Sequence, residues 1–218
     1  MDPLPLRILL VRHGETDWNR HGKFQGHLDV PLNEVGLAQA EALGLVLRKE
    51  RFAAFYSSPL KRALETVRII WLHHPGVPFY IEPDLMEMNL GEFDGMEAVR
   101  WAALYPEFLQ AWKKEPAAIR MPGGETLQEV QDRALGVLFS IAGRHKPGEK
   151  VLVCTHNFVI LAVLCRVLGI SLNRFREIGQ SNGSINRLRY EAGEIRAEKL
   201  NDDSHLPPFL KNSRGSSS

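Results

Sequence analysis

Two polar interruptions, Arg12-His13-Gly14-Glu15 and Thr155-His156-Asn157, each end a short apolar, β-branched run, Arg7-Ile8-Leu9-Leu10-Val11 and Val151-Leu152-Val153-Cys154. A histidine at the end of a buried strand is placed to serve as a ligand, a base or a nucleophile. With Arg62 downstream, two chemistries come into view: a metal site or a phosphate site. Zinc wants three or four convergent ligands. His73 and His74 are adjacent and would point apart in regular structure, and neither His-Glu-x-x-His nor Cys-x-x-Cys occurs. Metal is therefore the weaker expectation. For phosphate, the arginine fork matches the oxygens geometrically. Ser58-Pro59 reads as a helix start whose positive dipole end would lie near Arg62. Gly14 lets the backbone approach an oxyanion closely. Glu87, within Met86-Glu87-Met88, supplies a proton donor if its loop folds over the mouth. The residues alone thus point to a phosphate pocket with a histidine nucleophile. At this stage the plainer reading also stands: hydrogen-bonded structural histidines, a surface arginine and a solvated loop carboxylate.

These side chains need a scaffold. Strands are expected at residues 7–11, 53–57, 77–82 and 151–155. Helices are expected from Asn33, a cap residue, to about Lys49, from Ser58-Pro59 onward, and from Thr126 to about Arg144. Thr126-Leu127-Gln128-Glu129 spells a capping box for the last of these. A further helix covers residues 158–168 and stops at Gly169, and two short helices cover 96–105 and 106–114. Residues 16–31 and 85–95 read as loops, and 184–190 with 194–200 as an antiparallel hairpin turning at Ala192-Gly193. Alternating strands and helices imply an α/β fold with a mainly parallel sheet. Ligands of such sheets sit outside the carboxyl ends of the strands, where both Arg12-His13 and Thr155-His156 fall.

The 218 residues can bury a substantial core without disulfides or a structural metal. Lys and Arg number 27 against 26 Asp and Glu, so net charge does not drive binding to nucleic acid or an anionic membrane. Cys154 and Cys165 lie in apolar surroundings and read as buried thiols. The start Met1-Asp2-Pro3-Leu4-Pro5 carries no visible secretory signal, and no stretch reaches membrane-spanning length, so a cytoplasmic protein is expected. One catalytic domain over residues 1–206 and a flexible tail over 207–218 complete the expected organisation.

At this point the residues resemble the histidine phosphatase superfamily, in its phosphoglycerate-mutase-like branch. The resemblance rests on an ordered set: Arg12-His13-Gly14-Glu15-Thr16-Asp17-Trp18-Asn19, Phe24-Gln25-Gly26-His27-Leu28-Asp29-Val30-Pro31-Leu32 and Gly36-Leu37-Ala38-Gln39-Ala40. It continues through Ser57-Ser58-Pro59-Leu60-Lys61-Arg62-Ala63-Leu64-Glu65-Thr66, Glu87, Gly91-Glu92-Phe93-Asp94-Gly95, Pro122-Gly123-Gly124-Glu125-Thr126, Thr155-His156 and Asn182-Gly183-Ser184. It implies a mainly parallel central sheet with helices on both faces. It also implies roles. His13 would be the nucleophile, and Arg12, Arg62 and His156 would hold the phosphoryl oxygens. Glu87 would protonate the leaving alcohol and then deprotonate water. Gly14, Asn19, Gln25, Gly26 and Asn157 complete the expected phosphate- and substrate-binding set. Asn157 is a departure, since the family commonly has glycine after its second histidine.

The branch contains phosphatases and mutases. Glu87 is followed by Met88-Asn89-Leu90-Gly91-Glu92 rather than by the basic and aromatic residues usual in mutases. That stretch, and Leu200-Asn201-Asp202-Asp203-Ser204-His205-Leu206, resemble the phosphatase members, such as α-ribazole phosphatase and metal-independent phosphoserine phosphatase. The expectation is a metal-independent phosphomonoesterase with no cofactor, acting on a small phosphorylated metabolite. The alternatives are a cofactor-dependent phosphoglycerate mutase and a catalytically weak binding module. The strand at 77–82 reads as a sheet edge at which a second copy could pair, giving a homodimer. Specificity is expected from residues 88–94, the short helices between Met96 and Lys114, and His21 and Asn157.

Overall fold

A computed structural model describes residues 4–211. Among them the elements run β1 (Leu6–Arg12), α1 (Asp17–Arg20), α2 (Glu34–Leu47), β2 (Ala54–Ser57), α3 (Lys61–Trp71), β3 (Phe79–Ile81), α4 (Ala98–Leu104), α5 (Pro106–Lys114), α6 (Leu127–Arg144), β4 (Lys150–Thr155), α7 (Asn157–Leu168), β5 (Ile185–Glu191) and β6 (Glu194–Asp202), with short 3-10 turns between. The strands form one sheet in the order β3-β2-β4-β1-β5-β6. The first four are mutually parallel and the last two are added antiparallel. Arg12 is level with Thr155, and Ser57 with Cys154. The carboxyl ends of β1, β2 and β4 therefore open on one edge.

Both faces of the sheet are covered, which is why β1 and β4 read as unbroken apolar runs. Leu9, Val11, Phe55 and Leu152 pack against Leu43, Leu47, Val67 and Ile70 of α2 and α3. Ile8, Leu10, Tyr56, Val151 and Val153 pack on the other side with Leu138 and Ile141 of α6 and Ile160 and Leu164 of α7. Each fully buried aliphatic side chain of this kind contributes about 1.5–3 kcal/mol. The capping box at Thr126 forms as its sequence predicts, and Gly169 ends α7 with φ 67°.

Four expectations need correction. Residues 17–20 are not loop but the one-turn helix α1, because Thr16 and Asn19 cap each other reciprocally. Next, α3 begins at Lys61 rather than at Ser58-Pro59 and has no side-chain cap of its own. The Lys61 N–H is instead satisfied by Asp29 Oδ1 at 2.7 Å. The third strand narrows to three residues at the sheet edge. Finally, residues 207–211, expected to belong to a free tail, pack on the domain: Leu210 is buried and its carbonyl accepts from Gln39 Nε2 at 2.7 Å. The remainder of the expected tail, 212–218, and the start at 1–3 lie outside the described residues. Among the described residues no helix is long and apolar enough to cross a membrane.

Candidate active site

His13 follows β1 directly, and its N–H donates to Thr155 O at 3.1 Å, pinning it to the end of β4. Its imidazole is buried. Nδ1 lies 2.7 Å from Gly14 O. A carbonyl can only accept, so Nδ1 carries the hydrogen and Nε2 keeps a free lone pair. Burial holds His13 well below its ordinary pKa, helped by the charges of Arg62 and Arg12. The ring is neutral at neutral pH and its lone pair is available for bonding.

His156 is the N-cap residue of α7 and is fully buried. Its ring centroid lies 5.1 Å from that of His13. Nδ1 accepts from Arg62 Nε at 3.1 Å and Nε2 faces Ser58 Oγ at 2.7 Å. Burial again depresses its pKa well below the ordinary value, with Arg62 the next cause.

The two arginines come from different elements. Arg62 lies in the first turn of α3 and is fully buried. Besides His156 it donates to Gly26 O at 2.8 Å and Leu28 O at 3.1 Å. Arg12 ends β1 and donates to Gln180 O. Burial pulls both guanidinium groups down to about 10, with Glu87 opposing the shift, so both stay charged at neutral pH. Arg12 Nε and Gln25 Nε2 are buried donors with no acceptor among the described residues. Leaving such a donor unmatched costs about 1–3 kcal/mol.

Glu87 is buried beside the start of α7. Its Oε1 accepts from Met88 N–H at 2.9 Å and Phe158 N–H at 3.1 Å. Burial raises its pKa, outweighing the lowering by those two N–H groups and by Arg62 and Arg12. It is thus biased toward the protonated acid.

The remaining residues expected at the site divide in their placement. Asn19 Oδ1 accepts from the backbone N–H of Thr16 at 3.1 Å and from Asn182 Nδ2 at 3.3 Å. Gly14 N–H is taken by Thr66 Oγ1 at 3.0 Å, and Gly26 N–H by Asp94 Oδ1 at 2.8 Å. These two glycines shape the walls: a Cβ on Gly14 would meet Gly36 O at 2.5 Å, and one on Gly26 would meet Met88 O at 2.9 Å. Gln25 Oε1 accepts from the Thr16 hydroxyl at 2.9 Å. Asn157 is the half-buried first residue of α7. The segment expected to set specificity turns mostly inward: Met88, Leu90 and Phe93 are core residues.

Three contributors escaped the sequence reading. Ser58 holds His156 rather than capping a helix. Asn182 Nδ2 reaches His13 O at 3.1 Å and Gly14 O at 3.4 Å across more than half the chain. Arg133, on α6, ties down the loop that carries Glu87. Ser58 and Asn182 fall within the motifs that carry the resemblance but received no role from them, because each of the three works through a partner distant in sequence. Among the described residues no group of three or more His, Cys, Asp or Glu converges as a metal site.

The family model described as the histidine phosphatase superfamily (branch 1) matches residues 8–203. Phosphoserine phosphatase 1 of Hydrogenobacter thermophilus is 34% identical over 204 residues, covering 94% of this chain and 96% of the relative. A metal-independent phosphoserine phosphatase of Arabidopsis thaliana is 38% identical, covering 91% and 82%. Among solved structures, Bacillus stearothermophilus YhfR superposes with a TM-score of 0.87 at 31% identity, covering 92% and 98%.

Proposed function

The chain belongs to the histidine phosphatase superfamily (branch 1), and from that premise we propose that it hydrolyses small phosphomonoesters through a phosphohistidine on His13. The carrying observation is the fixed tautomer of His13: Nδ1 is committed to Gly14 O, and Nε2 keeps its lone pair in a pocket with the buried Arg62 and the half-buried Arg12. In the first step the Nε2 lone pair forms an N–P bond as the ester P–O bond breaks. The departing oxygen takes the proton of Glu87, whose raised pKa keeps that proton available. In the second step Glu87, now a carboxylate, takes a proton from water as the water oxygen bonds to phosphorus. The N–P bond breaks, inorganic phosphate leaves, and both residues return to their starting states. Arg12 and Arg62 balance the charge on the equatorial oxygens, already oriented by their carbonyl partners. His156, neutral and tied to Ser58 through Nε2, holds Arg62 in place through Nδ1.

The substrate class is a phosphorylated small metabolite, a reading supported by the similarity to phosphoserine phosphatases. Quenching the enzyme during turnover and locating the phosphoryl group tests the mechanism. The expected result is an acid-labile, base-stable adduct on His13, formed equally in the presence of a chelator. An adduct on another side chain, or activity lost to the chelator, would refute it. Release of inorganic phosphate without a bisphosphoglycerate primer separates hydrolysis from mutase action.

A further inference from the structure

The loop that carries Glu87 joins no strand, so its buried carbonyls must find partners elsewhere. Four consecutive ones do, all through side chains. Arg133 Nη1 donates to Asp84 O and to Met86 O, each at 2.7 Å, and Nη2 donates to Glu87 O at 3.0 Å. Thr155 Oγ1 donates to Leu85 O at 2.6 Å, and His27 Nε2 shares Glu87 O at 2.9 Å. The two N–H groups of Arg133 left over bind Glu125 in a fork, Nε to Oε1 at 2.8 Å and Nη2 to Oε2 at 3.0 Å. A guanidinium has five N–H donors, and here all five are used. Glu125 in turn grips the far side of the loop. Its Oε2 accepts from Asn89 N–H at 2.7 Å and its own N–H donates to Asn89 O at 2.9 Å.

We propose that Arg133, oriented by Glu125, is a positioning residue that sets the place of Glu87 for proton transfer. The proposal rests on the reading of Glu87 as the acid. Arg133 touches main-chain atoms of the loop and not the Glu87 carboxyl, so it acts through place. Among the described residues no hydrogen bond joins Arg133 to Arg12, Arg62 or His13, whose side chains bond instead to Gln180, Gly26, Leu28, His156 and Gly14. Proton transfer needs the acid within hydrogen-bond reach of the leaving oxygen. A small displacement therefore matters only for leaving groups that need the proton. Lysine, with three donors around one point, cannot make the five bonds.

The test compares Arg133→Gln and Arg133→Lys with the unaltered enzyme on two substrates: p-nitrophenyl phosphate, whose leaving group needs little help, and glycerol 1-phosphate, whose alkoxide needs a proton. Turnover of the alkyl ester should fall by about 10²-fold, the scale of a misplaced catalytic group. Turnover of the aryl ester should change by less than about 5-fold, and inhibition by inorganic phosphate should hold. Glu125→Gln, a milder change, should fall between. Hydrogen exchange should quicken at the Met88 and Asn89 amides, which the clamp protects. Equal losses on both esters, or unaltered exchange at those amides, would overturn the proposal. If the unaltered protein hydrolyses neither ester, the functional reading fails, and the exchange result still decides the clamp.

Discussion

Arg62 Nε lies 3.1 Å from His156 Nδ1. A guanidinium N–H can only donate, so His156 Nδ1 holds a lone pair and cannot take up a proton without breaking that contact. The hydrogen is on Nε2, 2.7 Å from Ser58 Oγ. His13 is fixed in the opposite tautomer by Gly14 O. Two neighbouring imidazoles are thereby fixed in opposite tautomers, with His13 Nε2 left a lone pair and both His156 nitrogens engaged. Neither carries a spare proton, and burial raises the pKa of the nearby Glu87.

His13→Ala should reduce turnover of p-nitrophenyl phosphate by about 10³-fold or more, as loss of a nucleophile does elsewhere. Its circular dichroism and thermal midpoint should stay close to those of the parent, since the ring's hydrogen bond is local, to Gly14 O, and its ring neighbour is His156 of the same pocket. Retained turnover would exclude His13 as the nucleophile.

Glu87→Gln should slow an alkyl phosphate by about 10²–10⁴-fold, the usual contribution of an acid, and an aryl phosphate far less. The parent should lose kcat on the alkyl ester as pH rises through the raised pKa of Glu87, because the acid form is the active one. That alkaline limb should vanish in the variant. A limb that persists would assign it to another group.

Ser58→Ala removes the acceptor for His156 Nε2 and for the Leu60 N–H at 3.3 Å. Leaving these buried donors unmatched should cost about 1–3 kcal/mol in a urea melt. The freed imidazole can also turn, so phosphate affinity should weaken. Unaltered stability would show that Ser58 does not hold the ring.

Acidification should destabilise the fold through His13 and His156. Both are depressed well below 6.5 in the folded state, so their contribution is complete above 6.5. As pH falls below that value the unfolded chain binds protons that the folded pocket refuses. Stability should then drop by up to about 1.4 kcal/mol per pH unit for each histidine. Glu87 pulls the other way: its contribution is complete below 4.5 and is lost as pH rises through its raised value. His13→Asn should flatten the loss between about pH 6.5 and 5, read from urea midpoints. Equal slopes in parent and variant would remove His13 from the account.

Gly36→Ala should destabilise by about 1–3 kcal/mol, because overpacking here meets backbone. The added Cβ would sit 2.0 Å from Glu15 O, in the loop that follows His13. Activity should fall with stability. Gly136→Ala is the contrasting case: it is exposed within α6 and a Cβ there meets nothing within 4 Å. It should stabilise by about 0.5–1 kcal/mol. A destabilised Gly136 variant or a neutral Gly36 variant would contradict the packing described.

The elements were legible where the signal is local. Apolar runs marked β1 and β4, Thr126 and Glu129 announced α6, and Gly169 announced its own turn. Errors fell where a distant group decided the outcome. Asp29, rather than Ser58-Pro59, satisfies the start of α3, and Gln39 holds residue 210 in what read as a loose tail. The inward turn of Met88, Leu90 and Phe93 likewise follows from core packing, Phe93 against Trp101, Tyr105 and Phe108, which residue type in a loop does not reveal.

For the site, the ordered motifs around His13, Arg62, Glu87 and His156 were enough to nominate the chemistry. They determined which groups are present and that two of them end apolar strands. Only the tertiary structure decided which proton each group carries. The tautomers depend on Gly14 O, Arg62 Nε and Ser58 Oγ meeting two rings from different strands. The pKa directions depend on how deeply the parallel sheet edge buries them. Hydrogen bonding and desolvation are set by neighbours in space, and the order β2-β4-β1 makes neighbours of residues up to about a hundred and forty positions apart.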